Sequence, residues 1–213
     1  LQGSSLGDYI AYKKGLKAGD THPMLAAMNA LPYLCGTLGN HEFNYGLEFL
    51  DHGLAKAEFP MVCANVERVG GGPLVDAWRL FEQSFEDEAG NRHVLQIGVI
   101  GFVPPQIMQW DKGNLEGKVV ATDIVDAAEK HMPDLRDAQP DLVIALCHSG
   151  IAGGQRRGME ENAALHLSKV EGIDVILTGH QHLVFPGGKS FDGLAGVDNV
   201  KGSLNGKPAC QPG

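Results

Sequence analysis

A chain of 213 residues with 43% apolar content carries enough non-polar side chain to bury one core of ordinary domain size. Its formal net charge of −9 leaves no basic stripe for following a phosphate backbone, which excludes DNA or RNA binding as the main task; a small anionic substrate beside a local cation stays open. No apolar run reaches the roughly 18 residues of a membrane span, and residues 1–20 lack the basic-then-apolar layout of a secretory leader.

In chain order, helical spacing over 23–29 is followed by a strand over 33–38, a helix over 47–57 and a strand over 60–66. Gly70 to Pro73 read as a surface loop. Runs at 78–85 and 93–103 flank Ala89-Gly90-Asn91 and predict a hairpin. A helix is expected over 123–138, with Pro133 kinking it or ending it early. The run 141–147 is apolar on successive residues, as a strand covered on both faces should be. A helix over 160–170, a strand over 173–178 and a long substrate-side or packing loop over 185–196 complete the pass. The alternation predicts an α/β fold, and no repeat or compositional break divides residues 1–213 into more than one domain. Cys35, Cys63, Cys147 and Cys210 lie far apart in apolar settings without a Cys-x-x-Cys pair, so they read as buried free thiols.

Three segments share one pattern, an apolar strand that runs into a metal-competent side chain beside a glycine. They are CGTLGNHE with Asn40 and His41, DLVIALCHSG with His148, and IDVILTGHQH with His180 and His182. Strand ends of an α/β sheet open into a crevice, so four histidines and an amide are expected to converge there. Gly39 and Gly179 precede the polar residues, where a missing Cβ permits a sharp turn or a close approach. His180 and His182 point the same way if the strand continues, and serve adjacent positions if the turn has begun. Imidazole nitrogens and an amide oxygen suit Zn, Mn, Fe or Co better than calcium. His22, His52, His93, His131 and His166 read as surface or structural. Cys147 beside His148 is a weak nucleophile and base pair, because neighbours along a strand point to opposite faces.

The ordered set GNHE, H-S-G and G-H-x-H resembles the calcineurin-like metallophosphoesterases. Longer stretches, including LQGSSLGDYIA, GLKAGDTHPMLAAMNAL, GNHEFNYGLEFL, IGVIGFVPPQIMQWDKGNLEGKV and GIDVILTGHQHLVFPG, are similar to the bifunctional 2′,3′-cyclic-nucleotide 2′-phosphodiesterase/3′-nucleotidases across nearly the whole chain. The resemblance implies a layered αββα sandwich of two mixed sheets flanked by helices, a site for two divalent metal ions, and a periplasmic or wall-associated location. It further implies a small-molecule nucleotide substrate, with no nucleic acid polymer and no membrane as partner. By motif, Asn40, His148 and His180 bind one metal, His182 reaches the other, and His41 faces the phosphate. Asn40 then holds a cation without cancelling its charge, and His41 gives a proton or hydrogen bond to the leaving oxygen.

The family's first Asp-x-His pair and its bridging Gly-Asp are expected upstream of Leu1, and a nucleoside-binding domain downstream of the chain. Asp8 is then not the bridging ligand but a turn or helix-cap residue. Without a bridging carboxylate, two cations about 3.5–4 Å apart repel each other, so this chain is expected to hold at most one metal well and to turn over little substrate. Related 5′-nucleotidases carry aspartate where Asn44 stands; Asn44 still accepts from the imidazole and fixes its tautomer, but brings no charge. That disfavours a 5′-nucleotidase, which with a sugar-nucleotide hydrolase forms a third, weaker reading. A non-catalytic domain that binds metal or nucleotide is the reading of another class. Glu42 is either a partner behind the ligands or a surface carboxylate.

Overall fold

The computed structural model describes residues 3–17 and 19–212. Leu1, Gln2, Ala18 and Gly213, which fall within the single domain expected over 1–213, lie outside the described residues.

Helix α1 (Ser5–Tyr9) runs into a π-helical turn, followed by α2 (Pro23–Asn29) and strand β1 (Gly36–Thr37). A single 3₁₀ turn (Asn40–Phe43) leads to α3 (Leu47–Leu54), β2 (Met61–Val62) and β3 (Val66–Arg68). The hairpin β4 (Trp78–Glu86) and β5 (Arg92–Phe102) is followed by α4 (Ile107–Trp110), α5 (Lys112–Leu115), β6 (Val119–Ala121) and α6 (Ile124–Asp137). Then come β7 (Leu142–Cys147), α7 (Ala164–Leu167), β8 (Val175–Thr178), β9 (Val197–Asp198), β10 (Ser203–Leu204) and β11 (Lys207–Cys210).

Seven strands form one mixed sheet in the order β4-β5-β7-β8-β11-β10-β9, with β5, β7, β8 and β11 parallel. Helix α6 covers one face. Its Ile124, Ala128, Met132 and Leu135 recur at helical spacing and pack against Ile100, Phe102, Val143, Ala145 and Ile176 of the sheet. Full burial of side chains as large as Ile124, Met132 and Leu135 is worth about 1.5–3 kcal/mol each. On the other face Ile97 and Val99 pack with Val62, beside the parallel pair β1–β2. Gly101 makes that approach feasible: a Cβ there would lie 2.3 Å from the Val62 carbonyl oxygen and 2.5 Å from Thr37 Oγ1. The expected α/β architecture with a mixed sheet and flanking helices is present, although among the described residues the second layer of strand is reduced to β1–β2 and the antiparallel pair β3–β6.

Several expected elements differ. The strand over 33–38 shrinks to β1, and that over 60–66 divides into β2 and β3, because pairing partners exist only at those residues. Pro133 does not end α6, which continues to Asp137; its side chain lies on the exposed face, clear of the core. The helix over 160–170 contracts to α7. Glu160 accepts from the backbone N–H groups of Arg157 and Gly158, Ile151 bridges Ala163, and Ser168 Oγ turns back to Leu165 O. Asp8 lies inside α1, since Ser4 takes the cap, and it accepts from the Tyr45 hydroxyl at 2.6 Å. The hairpin forms as expected, with the Asp87 carboxylate receiving Ala89 and Asn91 N–H. The loop over 185–196 serves packing: Phe185 and Phe191 are buried edge to face at 5.4 Å. All four cysteines are free, Cys63 and Cys147 buried as expected; Cys210 is exposed, because Ala209 takes the inward position at the end of β11.

Candidate metal centre

Register brings the loops together. Phe102 of β5 lies opposite Cys147 of β7, and Cys147 opposite Thr178 of β8, so the segments after Cys147 and Thr178 leave the sheet side by side. His148 N–H bonds to Phe102 O at 2.9 Å and the chain then turns sharply, Ser149 N–H reaching Cys147 O. After Thr178 the strand does not continue: His180 and His182 both adopt left-handed backbone, with φ of 73° and 55°. Two non-glycine residues so placed are a local strain of the kind found at functional sites. Gln181, between them, ties the two loops, its Oε1 accepting from Ile151 N–H at 2.8 Å.

The third loop arrives from β1, whose Thr37 hydroxyl donates to Val62 O. Gly39 N–H donates to Glu42 Oε2 at 2.8 Å, the Glu half of a capping box, which ties the start of the 3₁₀ turn to its third residue. Glu42 is buried, so the surface reading of this residue is dropped. Asn40 then meets His148: Oδ1 and Nε2 are 2.9 Å apart. The His148 and His180 rings pack edge to face at 5.4 Å, and His180 stacks on Trp110 at 5.6 Å. His180 Nε2 lies 2.8 Å from Glu161 Oε1. His182 is exposed on the same turn. On the other side of Asn40, His41 Nδ1 lies 2.8 Å from Asn44 Oδ1, and Asn44 Nδ2 donates to both oxygens of Asp111 at 3.1 and 3.2 Å.

The electrostatics follow. Burial pushes the His148 imidazole down to about 4, helped by the neighbouring imidazoles of His180, His41 and His182 and opposed by Glu42. His148 is therefore neutral at pH 7, the form that lends a lone pair to a metal. Burial pushes the Cys147 thiol up to about 12, which removes it as a nucleophile, and its side chain belongs to the core against α6.

Among the described residues no three His, Cys, Asp or Glu side chains converge on one point. The converged pair is instead an amide oxygen and an imidazole. Their 2.9 Å separation is close to the edge between neighbouring ligands, about 3.0–3.4 Å when each lies about 2.1 Å from a zinc-like ion. Both atoms are uncharged, and His180 adjoins them with a carboxylate on one ring nitrogen, the arrangement typical of metal-bound histidine. The donor set fits a divalent cation.

All six predicted site residues thus fall in this region, in two hydrogen-bonded pairs, Asn40 with His148 and His41 with Asn44, with His180 and His182 on the adjoining turn. Sequence reading misses Trp110, Asp111, Glu161, Gln181 and Ser149. Ser149 follows His148 in its motif; its buried hydroxyl donates to Glu161 O and accepts from Ala163 N–H, seating Glu161 against His180. No local pattern marks Glu161. The other histidines are structural or surface residues: His22, for example, caps α2 through Nδ1 and is buried, and His93 pairs with Asp87 in the hairpin.

A profile of the family described as calcineurin-like phosphoesterase matches residues 5–184. The 2′,3′-cyclic-nucleotide 2′-phosphodiesterase/3′-nucleotidase of Salmonella typhimurium is 50% identical over 214 aligned residues, covering all of this chain and 33% of that protein. The crystal structure of the calcineurin-like phosphoesterase YfkN from Bacillus subtilis superposes with a TM-score of 0.92 at 44% identity, over 99% of this chain and 64% of that one. The 5′-nucleotidase of Vibrio vulnificus is 28% identical over 166 residues, 76% of this chain and 28% of that protein. The chain spans about a third of the length of the curated phosphodiesterase relatives it matches.

Proposed function

The chain belongs to the calcineurin-like phosphoesterase family, and from that premise we propose that it carries the metal-binding edge of a phosphoesterase acting on 2′,3′-cyclic nucleotides and 3′-nucleotides. The observation that carries the reading is the 2.9 Å approach of Asn40 Oδ1 to His148 Nε2 with the His41–Asn44 pair at its flank. The substrate class draws support from the 50% identity to a protein of that activity. Since the chain is a third as long as that relative, turnover and base recognition are proposed for a protein of the relative's length, in which a further module grips the nucleoside.

Asn40, His148, His180 and His182 would hold a divalent cation of the Zn, Mn, Fe or Co group, with one ion well held by these residues alone. Such a cation supplies neutralisation of the phosphate charge and acidifies a water toward neutral pH. The chain's own residues do the rest. Asn40 and His148, both uncharged at pH 7, leave the positive potential for the phosphate undiminished. His41 keeps Nδ1 against Asn44, so Nε2 is the atom that serves the reaction. As a water oxygen bonds to phosphorus, the P–O bond to the sugar breaks with its electron pair staying on the sugar oxygen, and protonated His41 delivers the Nε2 proton there. Asn44 in place of an aspartate favours this reading over a 5′-nucleotidase.

The test is an assay of this chain, and of the whole protein encoded by the reading frame that contains it, with Mn²⁺ or Co²⁺ on 2′,3′-cyclic AMP, 3′-AMP and 5′-AMP. The expected result is metal-dependent hydrolysis of the cyclic and 3′ substrates by the whole protein, and little by the chain alone. Faster hydrolysis of 5′-AMP, or turnover indifferent to metal, overturns the proposal.

A further inference from the structure

Asn44 is uncharged, yet the group behind it is not. Its Nδ2 lies 3.1 and 3.2 Å from the two oxygens of Asp111, a residue 67 positions along the chain at the junction of α4 and α5. A carboxylate at neutral pH accepts hydrogen bonds and donates none, so the Asn44 amide must turn its NH₂ group to Asp111. Its oxygen is then forced toward His41, and the 2.8 Å contact requires the imidazole to carry a proton on Nδ1. Each assignment dictates the next.

A second set of contacts fixes the amide from its backbone side. Asn114 Nδ2 donates to Asn44 O at 2.9 Å and to Phe43 O at 3.3 Å. Asp111 is itself seated by its backbone: its N–H bonds to Ile107 O, and its carbonyl accepts from Asn114 and Leu115 N–H. The segment carrying α4 and α5 therefore grips both the side chain and the carbonyl of Asn44.

We propose that Asp111 is a positioning residue for His41: acting through the Asn44 amide, it fixes the imidazole with its proton on Nδ1 and directs Nε2 to the substrate. The carboxylate that the sequence lacks at position 44 is thus supplied one hydrogen bond farther out. This assignment rests on the phosphoesterase reading for its effect on turnover, but not for its effect on the ring.

The test separates the two. Nitrogen-15 NMR of this chain reads the His41 tautomer directly. The wild-type chain shows the Nδ1–H form; Asp111→Ala releases the amide and returns His41 toward the mixture of a solvated imidazole. Asp111→Asn retains a neutral acceptor and shifts the ring less. In the whole protein, Asp111→Ala lowers kcat on a 3′-nucleotide about tenfold with KM within about twofold, the size typical of a lost partner behind a reacting group. The exchange Asn44→Asp with Asp111→Asn, which moves the charge directly onto the imidazole, restores both the tautomer and kcat. A His41 tautomer unchanged by Asp111→Ala, or an Nε2–H form in the wild type, overturns the assignment whatever the activity. A shifted tautomer in a protein whose metal-loaded wild type hydrolyses no phosphoester supports the brace and overturns the phosphoesterase reading instead.

Discussion

Gly39→Ala tests the convergence of the centre with one methyl group. The backbone at Gly39 has φ −104°, ordinary for alanine, so the substitution carries no conformational strain, and loss of unfolded-state freedom favours folding by about 0.4–1 kcal/mol. The added carbon, however, lies 3.0 Å from His148 Cε1, 3.1 Å from its Nε2 and 3.0 Å from Glu42 Oε2, where relaxed contacts need about 3.5–4.0 Å. Neither neighbour retreats freely. Glu42 is held by Gly39's own N–H, and His148 has its backbone bonded to Phe102 and its ring set against Asn40 and His180. Overpacking of this kind costs about 1–3 kcal/mol, so the net loss is about 1–2 kcal/mol. A shift of a few tenths of an ångström in the His148 ring spoils its approach to Asn40, and divalent metal affinity falls at least tenfold, about 1.4 kcal/mol. Urea denaturation reads the first quantity and calorimetric titration with Mn²⁺ or Zn²⁺ the second. Gly179→Ala is the control: its methyl would lie 3.6 Å from His148 Nδ1, an ordinary contact, and stability stays within about 0.5 kcal/mol. Wild-type metal affinity in Gly39→Ala, or an equal loss in Gly179→Ala, refutes the argument.

Glu161→Gln keeps the shape of the group beside His180 Nε2 but removes its charge; metal affinity drops about 10–100-fold while the urea midpoint hardly moves, and unchanged affinity would show that Glu161 does not support His180. Asp123 caps α6 through Val125 and Asp126 N–H, and also receives Met159 N–H and the Arg156 guanidinium, each at 2.5 Å. Asp123→Ala therefore costs about 3 kcal/mol in urea, whereas Asp123→Asn, which keeps the cap, costs less. Burial alone would raise the Asp123 carboxyl, but Asp126 N–H, the Arg156 guanidinium and Met159 N–H outweigh it and hold it below the ordinary value. The unfolded chain then binds more protons than the folded one below about pH 4, so this stabilisation is complete above that pH and is lost as pH falls through the folded value. A wild-type acid limb that Asp123→Asn leaves unchanged would contradict it.

The legible parts of this molecule are those whose cause is local. Helix α2 appears at its predicted bounds because Pro23 starts it and His22 caps it, and the hairpin appears because Asp87 and Gly90 build its turn within five residues. The apolar run at 33–38 forms only two residues of β1, since a strand exists where a partner lies alongside, and the partner here is β2, some 25 residues on. The helix expected at 160–170 loses its first turns to Glu160 and the bridge at Ala163, which answer to loop contacts rather than to helical periodicity.

The same division runs through the site. Residue type and the strand-then-glycine pattern single out Asn40, His41, His148, His180 and His182, because metal ligation and proton transfer need those functional groups and strand ends hold them rigidly, whereas Asn44 enters only through the family resemblance. Which group faces which is a different matter. That Asn40 meets His148, that Glu161 engages one nitrogen of His180, and that Asp111 dictates the orientation of Asn44 follow from the registers of β5, β7 and β8 and from the close crossing at Gly101. These contacts join residues 19 to 108 positions apart. A hydrogen bond depends on distance and angle to within tenths of an ångström, and only the packed sheet sets those.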